Sequence, residues 1–98
     1  MTPEQIKQVK EANDIVDVVR DYVALKPVGP IFRGICPFHA DDRPSLDVNP
    51  RRQRYRCWAC GKYGDVIGFI QERERVSVPE ALMILAQRAS FRWDEPGR

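Results

Sequence analysis

Two short motifs with the same internal spacing constrain this chain more than any other feature. Cys36-Pro-Phe-His39 and Cys57-Trp-Ala-Cys60 contain all three cysteines and the single histidine of the 98 residues. Two ligands at this spacing reach one tetrahedral ion from a tight turn, and thiolate sulfur with imidazole nitrogen is a ligand set that suits zinc. Because four protein ligands leave no position for water, the pattern predicts one structural zinc ion and no catalytic metal.

Other interpretations of the cysteines fit the sequence less well. A thioredoxin-type redox pair at Cys57 and Cys60 would follow a strand of a βαβ unit, and no such unit precedes it. Disulfides are disfavoured because three cysteines leave one unpaired and no secretory signal opens the chain. No apolar run approaches the ~20 residues that span a bilayer. We therefore expect a cytoplasmic protein with reduced, metal-bound thiols and no membrane partner.

The length predicts a single small domain that depends on its metal. A chain of 98 residues buries a modest fraction of its apolar surface. A structural zinc ion contributes on the order of 10 kcal/mol of binding free energy, which is enough to decide whether such a domain folds. We expect the domain to span residues 1–90, and residues 91–98, which end in Pro-Gly-Arg, to begin a linker.

The positive charge is concentrated in the middle of the chain. Residues 22–64 carry eight bases and three acids, which gives +5, whereas residues 1–21 carry −2 and residues 65–98 carry −1. Zinc adds two charges and three thiolates remove three, so the metal-bound middle is nearer +4. This asymmetry suggests a polyanionic partner. Charged residues that only solvate a small domain would explain it equally well.

Capping signals and apolar periodicity predict the helices. Thr2, with Pro3 and Gln5, starts a first helix, and Asn13-Asp14 interrupts and restarts it before Pro27 ends it. Asp65 caps a third helix whose apolar residues are Val66, Ile67, Phe69 and Ile70. Ser77-Val-Pro-Glu80 has the form of a capping box, and apolar residues recur behind it with helical spacing from Val78 to Ala89.

Short strands are predicted between these helices, before each metal motif and between the two motifs. The segments are residues 23–26, 31–35, 45–48 and 54–58, separated by turns rich in proline, glycine and asparagine. Along the last of them, alternation places Arg54 and Arg56 on one face and Tyr55 and Cys57 on the other. The predicted fold class is therefore α+β, a zinc ribbon with a small antiparallel sheet flanked by helices.

Basic and aromatic residues around the second motif suggest contact with an unpaired nucleic acid strand. Cations that follow a phosphate backbone, together with rings on which bases stack, are typical of single-strand binding surfaces. Two alternatives stay open, because Trp58 would also serve as a packing residue that shields the metal, and Tyr55 shares a face with a zinc ligand and would also fit the core. The candidate DNA-binding residues are Lys26, Arg33, Arg43, Arg54, Tyr55, Arg56, Trp58 and Lys62.

The motifs resemble the N-terminal zinc-binding domain of bacterial-type DNA primases, a zinc ribbon of the CHC2 type. The resemblance rests on Phe32–His39, Arg43–Leu46, Tyr55–Gly61 and Gly64-Asp65, and with the helical segments it covers nearly the whole chain. The family often has Phe-Gly between its last two cysteines, where this chain has Trp58-Ala59. It also often has an aromatic residue in place of Leu46.

The resemblance implies a role in the initiation of DNA replication. It implies that the domain binds single-stranded template DNA and helps to choose where an RNA primer begins. The zinc ligands would be Cys36, His39, Cys57 and Cys60. Partners would be a primase polymerase domain, in cis or in trans, and a replicative helicase of the primosome. Nucleotidyl transfer would belong to the polymerase domain, since such chemistry needs clustered carboxylates and the adjacent Asp41 and Asp42 would point apart.

Two other functions are compatible with the same motifs. The apolar helical residues between positions 65 and 89 suggest a module that docks on a polymerase or helicase, with DNA contact incidental. A phage or plasmid primase-helicase would carry the same domain and would differ in the domains joined to its C-terminal side.

Overall fold

A computed structural model of the chain describes residues 2–38 and 43–90. The predictions for His39, for Asp41 and Asp42, and for the segment 91–98 therefore lie outside the described residues. Four helices and five strands are described, and each helix is too short or too polar to traverse a bilayer. In chain order the elements are α1 (Pro3–Glu11), α2 (Ile15–Arg20), β1 (Lys26–Val28), β2 (Ile31–Gly34), β3 (Leu46–Asn49), β4 (Arg54–Cys57), β5 (Tyr63–Gly64), α3 (Val66–Glu74) and α4 (Val78–Arg88).

The strands form one antiparallel sheet in which spatial order follows chain order, β1-β2-β3-β4-β5. Each strand is joined to its neighbour by a local connection, which is the simplest antiparallel arrangement. The helices cover one side of this sheet, with α3 against β4 and β5, and with α4 against α3 and α1. The α+β prediction is confirmed.

The helix starts that the sequence predicts are present. At the start of α1, the Thr2 hydroxyl accepts from the Gln5 backbone N–H at 3.1 Å, and the Gln5 side chain accepts from the Thr2 N–H at 2.9 Å. Ser77 and Glu80 form the second capping box at the start of α4. Asp14 and Asp65 cap α2 and α3 through their carboxylates. These caps satisfy backbone donors that a helix start would otherwise leave unpaired.

The first strand and the last strand differ from the sequence prediction. The segment 23–26 is not a strand apart from Lys26, because the hairpin turn is shorter than predicted and pairing begins between Lys26 and Arg33. Pro27 therefore lies within β1, an edge strand, where a missing N–H is tolerated. Gly29 makes the turn at φ +60. The two-residue strand β5 was not predicted, because it is too short to show a period.

Alternation divides the sheet into a buried face and an outer face. Leu46 and Val48 of β3, together with Tyr55 and Cys57 of β4, are buried beneath the helices. Phe69 of α3 packs at their centre, and its ring centroid lies 5.4 Å from that of Tyr55. The intervening residues of the strands form the outer face, which no described helix covers.

Asn13 ties the N-terminal helix to the C-terminal helix through buried hydrogen bonds. Its side chain is fully buried, and Nδ2 donates to the carbonyl oxygens of Val9 at 2.9 Å and Leu85 at 3.0 Å. Arg88 donates to Oδ1 at 3.4 Å. The sequence predicts a break at this position, but the contact with α4 depends on tertiary packing.

We expect Asn13→Asp to destabilise the domain by about 2–4 kcal/mol, because a carboxylate cannot donate to two buried carbonyl oxygens. Urea unfolding followed by circular dichroism measures this change in the free energy of unfolding. Glu11→Gln is the control, since Glu11 is exposed and its change should stay within about 0.5 kcal/mol. An Asn13→Asp variant as stable as the control would show that these hydrogen bonds carry no net stability.

Candidate metal centre and nucleic-acid interface

The three cysteines meet at one corner of the sheet. Cys36 follows β2, Cys57 is the last residue of β4, and Cys60 lies in the turn after it. Their Sγ atoms all lie within 4.8 Å of one another, and those of Cys36 and Cys60 are 3.9 Å apart. Zn–S bonds of about 2.3 Å in a tetrahedron place neighbouring sulfurs about 3.8 Å apart. The cysteines therefore fit a tetrahedral zinc ion.

Backbone amides are already directed at two of these sulfurs. The Phe38 N–H donates to Cys36 Sγ at 3.5 Å, and the Cys60 N–H donates to Cys57 Sγ at 3.4 Å. Gly61 closes the second turn by donating to the Cys57 carbonyl at 2.9 Å, with φ +81, which glycine adopts without strain. Hydrogen bonds of this kind favour thiolates and orient them as ligands.

Burial opposes ionisation of the cysteine between β2 and the first turn. Burial raises the pKa of the Cys36 thiol to about 12, although the Phe38 amide acts in the opposite direction. A bound zinc ion supplies the positive charge that deprotonates a coordinating thiol outright. The site is therefore suited to a metal-bound thiolate and poorly suited to a free reactive cysteine.

The described residues supply three of the four predicted ligands. Within residues 2–38 and 43–90, these cysteines form the one group of three or more His, Cys, Asp or Glu side chains close enough to share an ion. His39 is the residue after Phe38 and lies outside the described residues.

On the outer face, strand register places candidate residues in one row across the sheet. Lys26 pairs with Arg33, Arg33 with Asp47, Asp47 with Arg56, and Arg56 with Tyr63. Paired residues of antiparallel strands point to the same face. The row therefore combines three cations, one acid and one aromatic ring, from residues that are far apart in the sequence.

Asp47 is the hydrogen-bonded centre of this row. Its Oδ1 accepts from Arg33 Nε at 2.7 Å, and its Oδ2 accepts from Trp58 Nε1 at 2.6 Å. Partial burial would raise the pKa of Asp47, but the hydrogen bonds from Arg33 and Trp58 and the charge of Arg33 lower it below its ordinary value. The carboxylate is therefore ionised at neutral pH, and it holds both partners in place.

Trp58 lies on the outer face and is largely open to solvent. Its side chain is 63% exposed, and the Arg56 guanidinium lies over the ring at 4.1 Å from its centroid. A cation at this distance is attracted to the ring face. The structure therefore does not support the alternative in which Trp58 packs over the metal.

Tyr55 belongs to the core, which corrects its place among the candidate DNA-binding residues. It is 2% exposed, and its ring packs against Phe38 and Phe69. Burial, together with nearby negative charges, raises its pKa to about 12. A ring enclosed in this way cannot stack on a base. Of the two interpretations that the sequence left open, the structure matches the core one.

The remaining candidates are not all on one surface. Arg54 is exposed on the outer face and pairs with Asn49, and Lys26 is exposed on the edge strand. Lys62 instead contacts α3, where its Nζ lies 2.9 Å from Glu72 Oε2. Arg43 is exposed in the loop before β3. The structure therefore groups Arg33, Arg54, Arg56 and Trp58, with Lys26 at the edge.

A shallow groove of about 560 Å³ runs along the outer face beside Trp58. Tyr63 lines it and is 70% exposed, although it was not a candidate in the sequence analysis. The feature that places Tyr63 on the outer face is its pairing with Arg56. The sequence does not reveal this pairing, because a strand of two residues is too short to show alternation. The residues that line the groove are Ile31, Asp47, Asn49, Arg52, Arg54, Tyr55, Arg56, Trp58, Gly61 and Tyr63.

The comparisons with known proteins all point to the same family. A family model described as the CHC2 zinc finger matches residues 1–96. The DNA primase of Thermotoga maritima is 49% identical over 88 residues, which are 90% of this chain and 16% of that protein. The DNA primase of Synechococcus elongatus is 46% identical over 86 residues, which are 88% of this chain and 12% of that protein. The chain thus spans less than a fifth of these two relatives.

A solved structure is similar to the fold described above. The crystal structure of the zinc-binding and RNA polymerase domains of Aquifex aeolicus primase superposes with a TM-score of 0.85 at 40% sequence identity. The match covers 96% of this chain and 23% of that chain.

We expect the purified chain to contain one zinc ion and Cys57→Ser to lose it, because a serine hydroxyl does not replace a thiolate as a zinc ligand. Metal analysis after dialysis against a competing chelator measures the loss, and circular dichroism should show the accompanying unfolding. Ala59→Ser is the control, since it adds a serine to the exposed turn that follows Cys57 without removing a sulfur. Full zinc occupancy in Cys57→Ser would contradict the site.

Proposed function

Because this chain belongs to the CHC2 zinc finger family of DNA primases, we propose that it binds single-stranded template DNA and helps to select where an RNA primer begins. One structural zinc ion, held by Cys36, His39, Cys57 and Cys60, would maintain the binding surface. The observation that carries the proposal is the outer face of the sheet. Exposed cations and an exposed indole line one groove there, and no described helix covers it.

The chemistry of the outer face suits an unpaired nucleic-acid strand better than a duplex. Arg54 and Arg56 are exposed on β4, and Arg52 lies in the turn before it, so three guanidinium groups line the groove. Arginine contacts phosphate with two parallel hydrogen bonds, and an exposed ring offers a stacking surface to any base. A duplex would present its phosphates but would keep its base faces covered.

The zinc ion would act by fixing the strands that carry this surface. Cys36 lies two residues after the end of β2, and Cys57 ends β4, so one ion would hold together the two strands on either side of β3. Arg33 and Arg56 lie on those two strands and share the Asp47 row. Loss of the metal should therefore weaken DNA binding because the cations lose their arrangement. The metal itself would not contact the DNA.

Primer synthesis would take place in another domain. The described residues hold no group of three or more acidic side chains that could bind the ions of nucleotidyl transfer. The similar Aquifex aeolicus structure includes an RNA polymerase domain beside the zinc-binding domain. We therefore propose a polymerase domain, in cis or in trans, and a replicative helicase as partners. We place this assembly of zinc-binding domain, polymerase domain and helicase in the cytoplasm. The same zinc-binding domain would also fit a phage or plasmid primase-helicase.

The alternative of a pure docking module receives less support from the structure. Its basis was the apolar helical surface between positions 65 and 89. Most of those side chains are committed to the domain's own core, including Phe69, Ile70, Leu82 and Leu85. Little of that apolar surface is therefore left for a partner.

We expect Arg54→Gln to weaken binding of a labelled oligothymidylate by about 5- to 10-fold at low salt, because one phosphate contact is lost. The slope of log K against log salt concentration should become shallower by about 0.7. Fluorescence anisotropy at several salt concentrations measures both quantities, and zinc content should remain at the wild-type level.

Lys7→Gln is the matched control for this experiment. It removes the same charge from α1, in the helical layer away from the groove, so affinity should stay within about twofold of wild type. Binding by the wild-type chain that is absent, or that does not respond to salt, would contradict the proposed function. Equal losses in Arg54→Gln and Lys7→Gln would show that only net charge matters.

A further inference from the structure

Two exposed aromatic rings neighbour Arg56 on the outer face. Tyr63 pairs directly with Arg56 on the neighbouring strand, and Trp58 follows Arg56 by two residues along the chain. Both rings line the same groove, and they are the two most exposed large hydrophobic side chains among the described residues. Both rings therefore neighbour Arg56, whose guanidinium lies over the Trp58 ring.

Tyr63 has no structural role that would account for its position. Its side chain is 70% exposed, and within residues 2–38 and 43–90 no side-chain hydrogen bond or ring contact holds it. The core contains a different tyrosine, Tyr55, which is buried against Phe69. A ring in this setting is free to receive a ligand on its face.

Trp58 is held differently, and its orientation leaves room for one base. Its indole N–H donates to Asp47 Oδ2 at 2.6 Å, which fixes the plane of the ring. Arg56 lies over the ring at 4.1 Å from its centroid, so a cation occupies one face. The side chain is still 63% exposed with these contacts in place. Trp58 therefore offers a single, oriented stacking surface.

We propose that Tyr63 is a second base-stacking residue, and that Tyr63 and Trp58 hold two unpaired bases beside Arg56. This inference rests on the proposed single-strand binding and names residues that would carry it. Diagonal neighbours on adjacent antiparallel strands are about 7–8 Å apart. The spacing of stacked bases in a duplex is about 3.4 Å. Two bases stacked on these rings would therefore lie further apart than stacked bases in a duplex. A single strand can adopt this separation, because its bases are not held in a continuous stack.

The test compares Tyr63→Ala with Tyr63→Phe in the full zinc-loaded chain, using oligothymidylate as the probe. Loss of one stacking ring should weaken binding by about 5- to 100-fold. Phenylalanine keeps the ring face and removes only the hydroxyl, so Tyr63→Phe should bind within about twofold of wild type. A loss below about twofold in Tyr63→Ala, or equal losses in both variants, would overturn the proposal.

Oligonucleotides with one abasic site, moved along the strand, test whether the ring contacts a base. For the wild-type chain, one or two positions should weaken binding by an amount similar to Tyr63→Ala. In Tyr63→Ala the penalty at one of those positions should disappear, because the base and the ring would act as one contact. Equal penalties at every position in both proteins would show that Tyr63 does not contact a base.

The outcomes distinguish this inference from the function on which it rests. If the wild-type chain does not bind single strands at any salt concentration, both proposals fail. If Arg54→Gln weakens binding as expected but Tyr63→Ala does not, the proposed function stands and the stacking role of Tyr63 is wrong. Zinc content equal to wild type in each variant shows that the comparison concerns the surface and not the fold.

Discussion

The structure depends on bringing three sulfurs to one point at the corner of a very small sheet. The strands are two to four residues long, which is too short for the ladder alone to hold them in register. Cys36 follows β2 and Cys57 ends β4, and these two strands flank β3. A zinc ion shared by the two cysteines would therefore connect β2 to β4 across the centre of the sheet. The aromatic cluster of Phe38, Tyr55 and Phe69 packs beside this point.

The metal corner and the outer face are consequences of the same alternation along β4. Tyr55 and Cys57 point to the core, and Arg54 and Arg56 therefore point to solvent. A register shift of one residue would exchange the two sets, placing arginines in the core and a metal ligand in water. The energetic demand for a buried tyrosine and a bound thiolate thus also specifies which face is cationic. Fold stability and the proposed nucleic-acid binding are therefore coupled through one strand.

The sequence predicts the features that depend on local chemistry. Ligand spacing, the helix caps and the alternation along β4 were all visible without a structure. Features that depend on pairing between distant strands were not visible. The limits of β1 and β5, the buried state of Tyr55 and the exposed state of Tyr63 all depend on register and packing. The sequence also does not show that Lys62 forms an ion pair with Glu72 on α3, so the role of Lys62 in DNA binding stays a prediction.

Asp47 shows a further limit of sequence reasoning about charge. In the net charge of the basic segment, Asp47 only subtracts one unit. In the structure its carboxylate binds both Arg33 and Trp58. A phenylalanine at the position of Trp58 would have no N–H to donate and could not be oriented in this way. The acid therefore neutralises one arginine at the centre of the row and fixes a ring there. The cations left uncompensated lie to the sides, at Lys26 and along β4, so the surface combines an oriented, nearly neutral centre with a charged margin.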